Sequence, residues 1–350
     1  MNLLLFNLRV DRDHTALGFT TDWINELARH FDRVTVITMY RGVVAVADNV
    51  EVMSAGLERG LSKPHRVFNF YRLLAGALRR REFDCCFSHM MPLFTLLAGP
   101  VLKAKRIPVA LWYAHNHRPA ILPAALAFAD RALASTRTAF PIETSKLRVI
   151  GQGIDTGRFR PQARAMDDPV LRMITIGRTS KIKNIDLMIR ALARLRDALP
   201  GLPVRFVIVG EPLSGQDQAY VDSCRELAAS LGINDLVEWQ APVSFAEVHT
   251  AYYRGDIFLS ANDNGLDKAI LEAMASGLAV VAMHPALEAP LGPYYAKDES
   301  AFGESLINLA SLDHQTRRTI GSRLRRYVES EHSLAQLGRR VAAELKAIAR

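Results

Sequence analysis

The sequence predicts an α/β protein made of two successive doubly wound domains. Strand-like runs alternate with helix-like runs almost throughout, a pattern typical of βαβ units and parallel sheets. The chain has 350 residues, which suits two domains of roughly 150 to 180 residues each. A stretch without periodicity, residues 161–170, interrupts the alternation, and the pattern begins again after it.

The first half contains one predicted Rossmann-like domain. Its first helix, residues 19–30, places Trp23, Ile24, Leu27 and Ala28 at the spacing of a buried helix face. The predicted strands of this half cover residues 2–7, 33–38, 84–88, 109–113, 131–134 and 148–150.

The second half repeats this organisation after a predicted linker at residues 164–170, which carries Asp-Asp-Pro. Asp267 is the expected N-cap of a helix over 267–276, and Gly277 follows its end. The other predicted helices cover 185–198, 218–231, a region near 245–254, and 335–350. The predicted strands cover 172–176, 204–209, 237–240, 257–259 and 278–282.

Composition indicates a globular protein without a membrane-spanning helix. Hydrophobic residues make up 49% of the chain and charged residues 23%, as in soluble domains. The longest apolar run, residues 90–102, is interrupted by Pro92, Gly99 and Pro100 and is shorter than the roughly 20 residues that a span needs. The N-terminus lacks the basic region and cleavage site of a signal peptide, so we expect a buried first strand there.

The cysteines and the charge suggest where the protein works. Three cysteines without zinc-site spacing suit a reducing cytoplasm: Cys85, Cys86 and Cys224. Residues 1–165 hold 23 Lys and Arg against 13 Asp and Glu, whereas the remainder is close to neutral. A basic first domain suggests an anionic membrane surface or acidic partner. A generally Arg-rich composition explains the same numbers equally well.

Several common catalytic motifs are absent, and the informative residues lie at strand-to-helix turns. The sequence has no G-x-G-x-x-G after a strand, no Walker loop and no G-x-S-x-G elbow. Open α/β sheets bind ligands at such turns, and the turn at 176–184 places Arg178 and Lys183 just before a helix. Two cations there could bind a diphosphate, although a solvated basic turn is the simpler reading of this segment alone.

A second turn, residues 264–277, reads Asn-Gly-Leu-Asp-Lys-Ala-Ile-Leu-Glu-Ala-Met-Ala-Ser-Gly. This segment closely resembles the signature of family 4 glycosyltransferases, also called glycosyl transferases group 1. In that family, Gly-Arg at the end of a strand is followed five residues later by Lys, as Arg178 and Lys183 are here. Residues 150–155 also resemble the family's interdomain Asn-Gly-Ile-Asp segment, with Gln152 in place of Asn.

The resemblance covers the chain almost end to end and implies the GT-B fold, two Rossmann-like domains facing across a cleft. It implies an acceptor-side domain at 1–163, a linker at 164–170 and a nucleotide-sugar domain at 171–330. A C-terminal helix at 331–350 follows, and the first domain is one place where it could pack.

Site residues of the second domain follow from the resemblance by matching position. Arg178 and Lys183 would bind the donor diphosphate and stabilise negative charge as the sugar bond breaks. Glu272 would accept hydrogen bonds from the ribose, although a solvent-facing helix glutamate is the alternative. The remaining donor-binding residues are Gly177, Asn264, Gly265, Leu266, Asp267 and Leu271.

The turn departs from the family pattern at two places. Asn264 stands where the family usually has a second glutamate, and Gly265-Leu266-Asp267 replaces Gly-Phe-Gly. An amide can hydrogen-bond a sugar hydroxyl but lacks a carboxylate's charge. The departure bears on the identity of the donor sugar and on activity itself.

In the first domain, His115 resembles the family histidine that reaches the donor sugar, and we assign it a catalytic role. His117 is a close second, and either could be structural. Gly18 matches the glycine-containing loop that meets the donor. His89, His117 and Asp13 are acceptor-side candidates.

The sequence therefore predicts a retaining glycosyltransferase that needs no metal and no cofactor beyond its nucleotide-sugar co-substrate, a UDP- or GDP-sugar. The expected acceptor is a glycan, a lipid-linked molecule or another molecule in cell-surface polysaccharide or glycolipid synthesis, and no nucleic acid partner is expected. The alternatives are a non-catalytic sugar-nucleotide-binding subunit and a nucleotide-sugar epimerase of GT-B fold. Two basic clusters, 79–81 and Lys103-Lys105-Arg106, favour peripheral attachment to the inner membrane face.

Overall fold

A computed structural model describes residues 1–14, 17–162, 169–263 and 265–349. The chain divides into two compact units, one made of Met1–Gly153 with Leu334–Arg350 and the other of Ile154–Ser333. Each unit contains one parallel β-sheet. The predicted α/β class with two doubly wound sheets is confirmed.

The first unit is built on a seven-stranded sheet in the order β3-β2-β1-β4-β5-β6-β7. Its strands are β1 (Asn2–Val10), β2 (Arg33–Arg41), β3 (Val50–Ser54), β4 (Cys85–His89), β5 (Val109–Trp112), β6 (Arg131–Ala134) and β7 (Leu147–Val149). Its helices are α1 (Phe19–Ala28), α2 (Lys63–Arg80), α3 (Pro92–Ala104), α4 (Leu122–Phe128) and, from the end of the chain, α12 (Leu334–Ile348).

The second unit has a five-stranded sheet in the order β10-β9-β8-β11-β12. Its strands are β8 (Leu171–Ile176), β9 (Val204–Val209), β10 (Val237–Gln240), β11 (Ile257–Ser260) and β12 (Ala279–Ala282). Its helices are α5 (Ile185–Ala198), α6 (Gly215–Ser230), α7 (Val248–Tyr252), α8 (Lys268–Ala275), α9 (Glu288–Leu291), α10 (Glu299–Ala310) and α11 (His314–Glu331).

Central strands of both sheets are buried on their two faces, which explains their continuous apolar runs. Leu3, Leu4 and Leu5 of β1 are all inaccessible or nearly so, and Leu3 and Leu4 belong to apolar clusters on opposite faces of the sheet. In the second unit, Ile257 and Phe258 of the central strand β11 divide between two clusters in the same way. This two-sided burial holds each sheet rigid and fixes the turns at its carboxyl edge.

The boundary between the units differs from the expected one. Residues after Gly153 belong to the second unit, because the Ile154 N–H donates to the His332 carbonyl over 2.8 Å. The buried Phe159 also packs edge-on against Tyr252. The expected linker at 164–170 falls largely on residues 163–168, which lie outside the described part of the chain.

The last helix, α12, groups with the first unit. Its apolar stripe of Leu337, Val341 and Leu345 lies in the same buried cluster as Trp23 and Leu27 of α1. Gly338 allows the close approach of α12 to α1, because an added Cβ would lie 2.5 Å from the side chain of Glu26. The chain therefore returns to its first unit after completing the second.

Candidate functional site

The candidate donor site of the second unit lies where the strand order of its sheet reverses. The chain leaves β8 toward β9 on one side and leaves β11 toward β12 on the other. The turns after Ile176 and Ser260 therefore lie side by side at the carboxyl edge, the usual ligand position in open α/β sheets. An ion pair between Lys183 and Asp267 joins these two turns directly.

Two glycines shape the turn after β8. Gly177 has φ +139°, and its N–H donates to the Val209 carbonyl over 3.0 Å. Gly210, with φ +151°, lies so close that an added Cβ would stand 1.9 Å from the Gly177 carbonyl oxygen. Only glycine at position 210 allows the ends of β8 and β9 to approach each other this closely.

Lys183 is held by a short turn and an asparagine. It ends a 3₁₀ turn at Lys181–Lys183, and Asn184 follows in the left-handed conformation at φ +49°. The Asn184 side chain donates to the Ala261 carbonyl over 2.9 Å, which ties this turn to the one after β11. The Arg178 side chain is exposed, and no carboxylate within the described part of the chain pairs with it. The turn thus offers one anchored cation and one exposed cation.

The turn after β11 leads into α8. Asp267 is the N-cap of this helix, as predicted, and its Oδ1 accepts from the Ala269 N–H at 3.4 Å. Leu266 and Leu271 are buried, which makes them supports for the turn. Space is open around Gly265. Asn264 lies outside the described residues.

Glu272, one turn further along α8, is positioned by a hydrogen bond from a buried tyrosine. The Tyr252 hydroxyl of α7 donates to Glu272 Oε2 over 2.8 Å. Burial raises the pKa of Glu272, while the hydrogen bond from Tyr252 and the positive charge of Lys268 oppose that rise. Burial also raises the pKa of Tyr252, which keeps the hydroxyl a donor. Because Tyr252 already donates to Oε2, Oε1 has the greater remaining capacity to accept from a ribose hydroxyl.

The first unit has its own reversal of strand order, between β1 and β4. Gly18 lies in the loop that follows β1, His89 is the last residue of β4, and the Phe19 ring lies 6.3 Å from that of His89. His89 is buried, with its ring 4.7 Å from Trp23 and 6.3 Å from Trp112. Such an aromatic enclosure suits a structural histidine, and an acceptor-side role for His89 stays a prediction.

His115 and His117 follow β5 and are both exposed. The His117 N–H donates to His115 Nδ1 over 2.9 Å, and the two rings lie 6.3 Å apart. The buried Tyr113 fixes the same turn, since its hydroxyl donates to the His117 carbonyl over 2.7 Å. The bond from the His117 N–H to His115 Nδ1 leaves Nε2 of His115 as the nitrogen that could meet a ligand.

The loop after β1 contains Asp13 and Gly18. Asp13 is exposed, while Gly18 is buried and precedes α1. The Gly18 N–H donates to the His14 carbonyl over 2.9 Å, and burial lowers the pKa of His14. Thr15 and Ala16, in the middle of this loop, lie outside the described residues.

The described residues show neither a cluster of metal-ligand side chains nor a membrane-spanning helix. Over the described ranges, no three His, Cys, Asp or Glu side chains are grouped as metal ligands would be. Among the helices of those ranges, none is both long and apolar enough to cross a membrane.

Residues 171–311 match the family model described as glycosyl transferases group 1. The second unit contains a glycosyl transferases group 1 domain. The matched range includes both turns of the candidate donor site, with Lys183, Asp267 and Glu272. The predicted family resemblance is confirmed for this domain.

The curated proteins to which this chain is similar include D-inositol 3-phosphate glycosyltransferases. That of Actinosynnema mirum is 30% identical over 174 residues, which is 45% of this chain and 42% of the relative. That of Kineococcus radiotolerans is 28% identical over 316 residues, which is 75% of this chain and 71% of the relative. The chain thus spans less than half of the first relative's length.

A solved structure extends the likeness to both units. HepE from Anabaena, crystallised in complex with UDP, has a TM-score of 0.75 and 17% identity over 99% of this chain and all of its own. The predicted GT-B fold is confirmed.

Sequence reasoning missed two residues of the site in the glycosyl transferases group 1 domain. Tyr252 supports Glu272, but the weak pattern near 245–254 gave no reason to single it out. His284, buried after β12, lies near the charges of Asp263 and Asp267, and burial lowers its pKa. Both residues are identified by their contacts with residues distant in the sequence, and local spacing does not indicate either of them.

Proposed function

We propose that this chain is a glycosyltransferase that moves a sugar from a nucleotide-sugar donor to an acceptor hydroxyl, with retained anomeric configuration and without a metal ion. The observation that carries the proposal is the Lys183 turn, with exposed Arg178, at the strand-order reversal of the glycosyl transferases group 1 domain. Two cations there can balance the charge of a leaving diphosphate.

The donor is expected to be a UDP- or GDP-sugar. Its diphosphate would contact Lys183 and Arg178, and Glu272 Oε1 would accept from the ribose. The complex of HepE with UDP favours uridine as the base to test first. Gly265, with open space around it, leaves room for a ligand beside α8.

In the proposed reaction, the bond between the anomeric carbon and a diphosphate oxygen breaks, and the acceptor oxygen bonds to the same face of that carbon. The acceptor's proton moves to the leaving phosphate oxygen. Lys183 and Arg178 stabilise the charge that develops there, and His115 hydrogen-bonds the donor sugar. This scheme rests on the family resemblance together with the cationic turn.

A panel of nucleotide sugars tests this function. We expect a UDP- or GDP-sugar to raise the melting temperature of the protein and to be slowly hydrolysed, because transferases leak sugar to water. Binding without any turnover would instead indicate a non-catalytic subunit, and recovery of an isomerised sugar would indicate an epimerase. If no nucleotide stabilises the protein, the proposed function is wrong.

We further propose that the acceptor is a lipid-linked glycan or another anionic carrier at the inner membrane face, as part of cell-surface polysaccharide or glycolipid synthesis. Helix α2 supports this, because it carries five Lys and Arg residues and no Asp or Glu. Phe68 on this helix is 71% exposed, and Tyr71, one turn further, is also exposed. Exposed aromatic rings among basic residues suit the surface of an anionic bilayer.

The second basic cluster lies beside a cavity. Lys103 and Arg106, with Arg131 and Lys146, line a polar cavity of about 590 Å³ in the first unit. Lipid phosphates could enter such a cavity. In the cluster at 79–81 the charge is partly balanced, since Arg80 and Arg81 both approach Glu51.

Vesicle sedimentation across a salt series tests the membrane proposal. We expect binding to anionic but not neutral vesicles, falling as salt rises, because each basic residue near the surface contributes about 1 kcal/mol. A variant with Arg79, Arg80, Arg81, Lys103, Lys105 and Arg106 changed to Gln should bind less at every salt concentration. Equal binding to both vesicle types, or none to either, would leave a soluble acceptor as the better proposal.

A further inference from the structure

Asp267 forms an ion pair with Lys183, the cation that the donor diphosphate would need to bind. Its carboxylate pairs with Lys183, and the two side chains are only 21% and 19% exposed. The same residue caps α8 through Ala269. Glu272 hydrogen-bonds Tyr252 instead, and Asp263, earlier in the same turn, is exposed. Within the described residues, Asp267 is therefore the carboxylate that meets Lys183.

This carboxylate affects the two nucleotide ligands of the proposed reaction differently. A nucleoside diphosphate has a terminal phosphate with a second pKa near 6, so at pH 7.5 it carries about one negative charge more than the nucleotide sugar. A diphosphate that binds Lys183 must displace Asp267 and then lie next to it. Repulsion from a half-buried carboxylate is only partly screened, and it acts more strongly on the ligand with more charge.

We infer that Asp267 is a specificity-determining residue that weakens the binding of the nucleoside diphosphate product relative to the nucleotide-sugar donor. The inference rests on the proposed function of this site. Lys183 pairs with Asp267 when the site is empty and pairs with the diphosphate when the donor binds. It pairs with Asp267 again as the product leaves. The Asp267 carboxylate thereby promotes product release.

Isothermal titration calorimetry with UDP and UDP-glucose, and with GDP and GDP-mannose, measures this preference. Asp267→Asn removes the charge but keeps a side chain that caps helices well. We expect it to lower the Kd for the nucleoside diphosphate by about tenfold, and the Kd for the nucleotide sugar by about threefold or less. Asp267→Ser, another capping residue, should act in the same direction.

Asp263→Asn is the matched control, because it removes the same charge from the same turn without touching the Lys183 ion pair. We expect it to leave both affinities within about twofold of the parent. Equal gains for the two ligands in Asp267→Asn, or no gain for the nucleoside diphosphate, would overturn the inference while leaving the proposed function intact. If the parent binds neither UDP nor GDP, the proposed function fails, and this inference fails with it.

Discussion

At the scale of residues, two lysines of the same turn differ in what they contact. This difference distinguishes the lysine with a proposed catalytic role from one that only adds positive charge to the surface. Lys183 reaches across to Asp267, whereas Lys181 is 73% exposed and pairs with Asp186 of α5. Both have the same charge and lie two positions apart. They lie on the same 3₁₀ turn, which Asn184 ends, and differ in the carboxylate that each contacts.

We predict that Lys183→Ala and Arg178→Ala each slow sugar transfer by at least about a hundredfold, because each loses a cation that stabilises the leaving diphosphate. Lys181→Ala should keep nearly normal turnover. The measurement is steady-state turnover of the donor identified by the panel, with circular dichroism to show that each variant is folded. Near-normal turnover in Lys183→Ala or Arg178→Ala would remove that residue from the mechanism.

Glu272→Gln tests the ribose contact separately from the diphosphate. A glutamine can still accept from Tyr252, so we expect little change in stability. The Kd for the free nucleotide should rise by about tenfold or more, since a charge-assisted hydrogen bond is lost. Glu304→Gln, at an exposed position of α10, is the control and should leave this Kd unchanged. Unchanged nucleotide affinity in Glu272→Gln would contradict the assignment.

The sequence predicted which residues belong to the candidate donor site, and it said little about how those residues are held. Spacing and the family resemblance selected Arg178, Lys183 and Glu272, because those motifs are local in the chain. They could not predict that Asp267 pairs with Lys183, since 84 positions separate the two residues. The enclosure of His89 by Trp23 and Trp112 likewise depends on the order of strands in the sheet.

At the scale of elements, the second sheet followed its sequence pattern closely. The structure has α5 at Ile185–Ala198, β9 at Val204–Val209 and β10 at Val237–Gln240, the bounds that the pattern predicted. Strand β3 was not predicted, because this five-residue edge strand is mostly half-buried and shows no long apolar run. Burial on both faces of a strand gives a clear apolar run, and β3 lacks that burial.

A substitution at Gly210 tests the close contact between Gly210 and Gly177 in the turn after β8. Gly210→Ala should lower the free energy of unfolding by about 2 kcal/mol or more and weaken nucleotide binding, because its Cβ would collide with the Gly177 carbonyl. Gly201→Ala, where the structure leaves open space, should stay within about 0.5 kcal/mol of the parent. Urea unfolding and nucleotide titration measure both effects. Equal stabilities of the two variants would contradict the described turn.

At the scale of the whole molecule, the two units are not two consecutive halves of the chain, because the last helix belongs to the first unit. The sequence predicted a late boundary because residues 161–170 look like a linker, yet the segment from Ile154 joins the second unit through His332 and Tyr252. The helical pattern of α12 was visible, and the first domain was one place where it could pack, but nothing in its local sequence selected that place. Only the buried cluster with α1 shows that the last helix completes the first unit.

The central claim is that this chain transfers sugar from a nucleotide through protein cations rather than through a metal ion. The most direct measurement is release of nucleoside diphosphate from the donor that the panel identifies, in excess EDTA, for the parent and for Lys183→Ala. We predict that release by the parent continues undiminished in EDTA and falls at least about a hundredfold in Lys183→Ala. Release that stops in EDTA and returns with Mg²⁺ or Mn²⁺ would contradict the account.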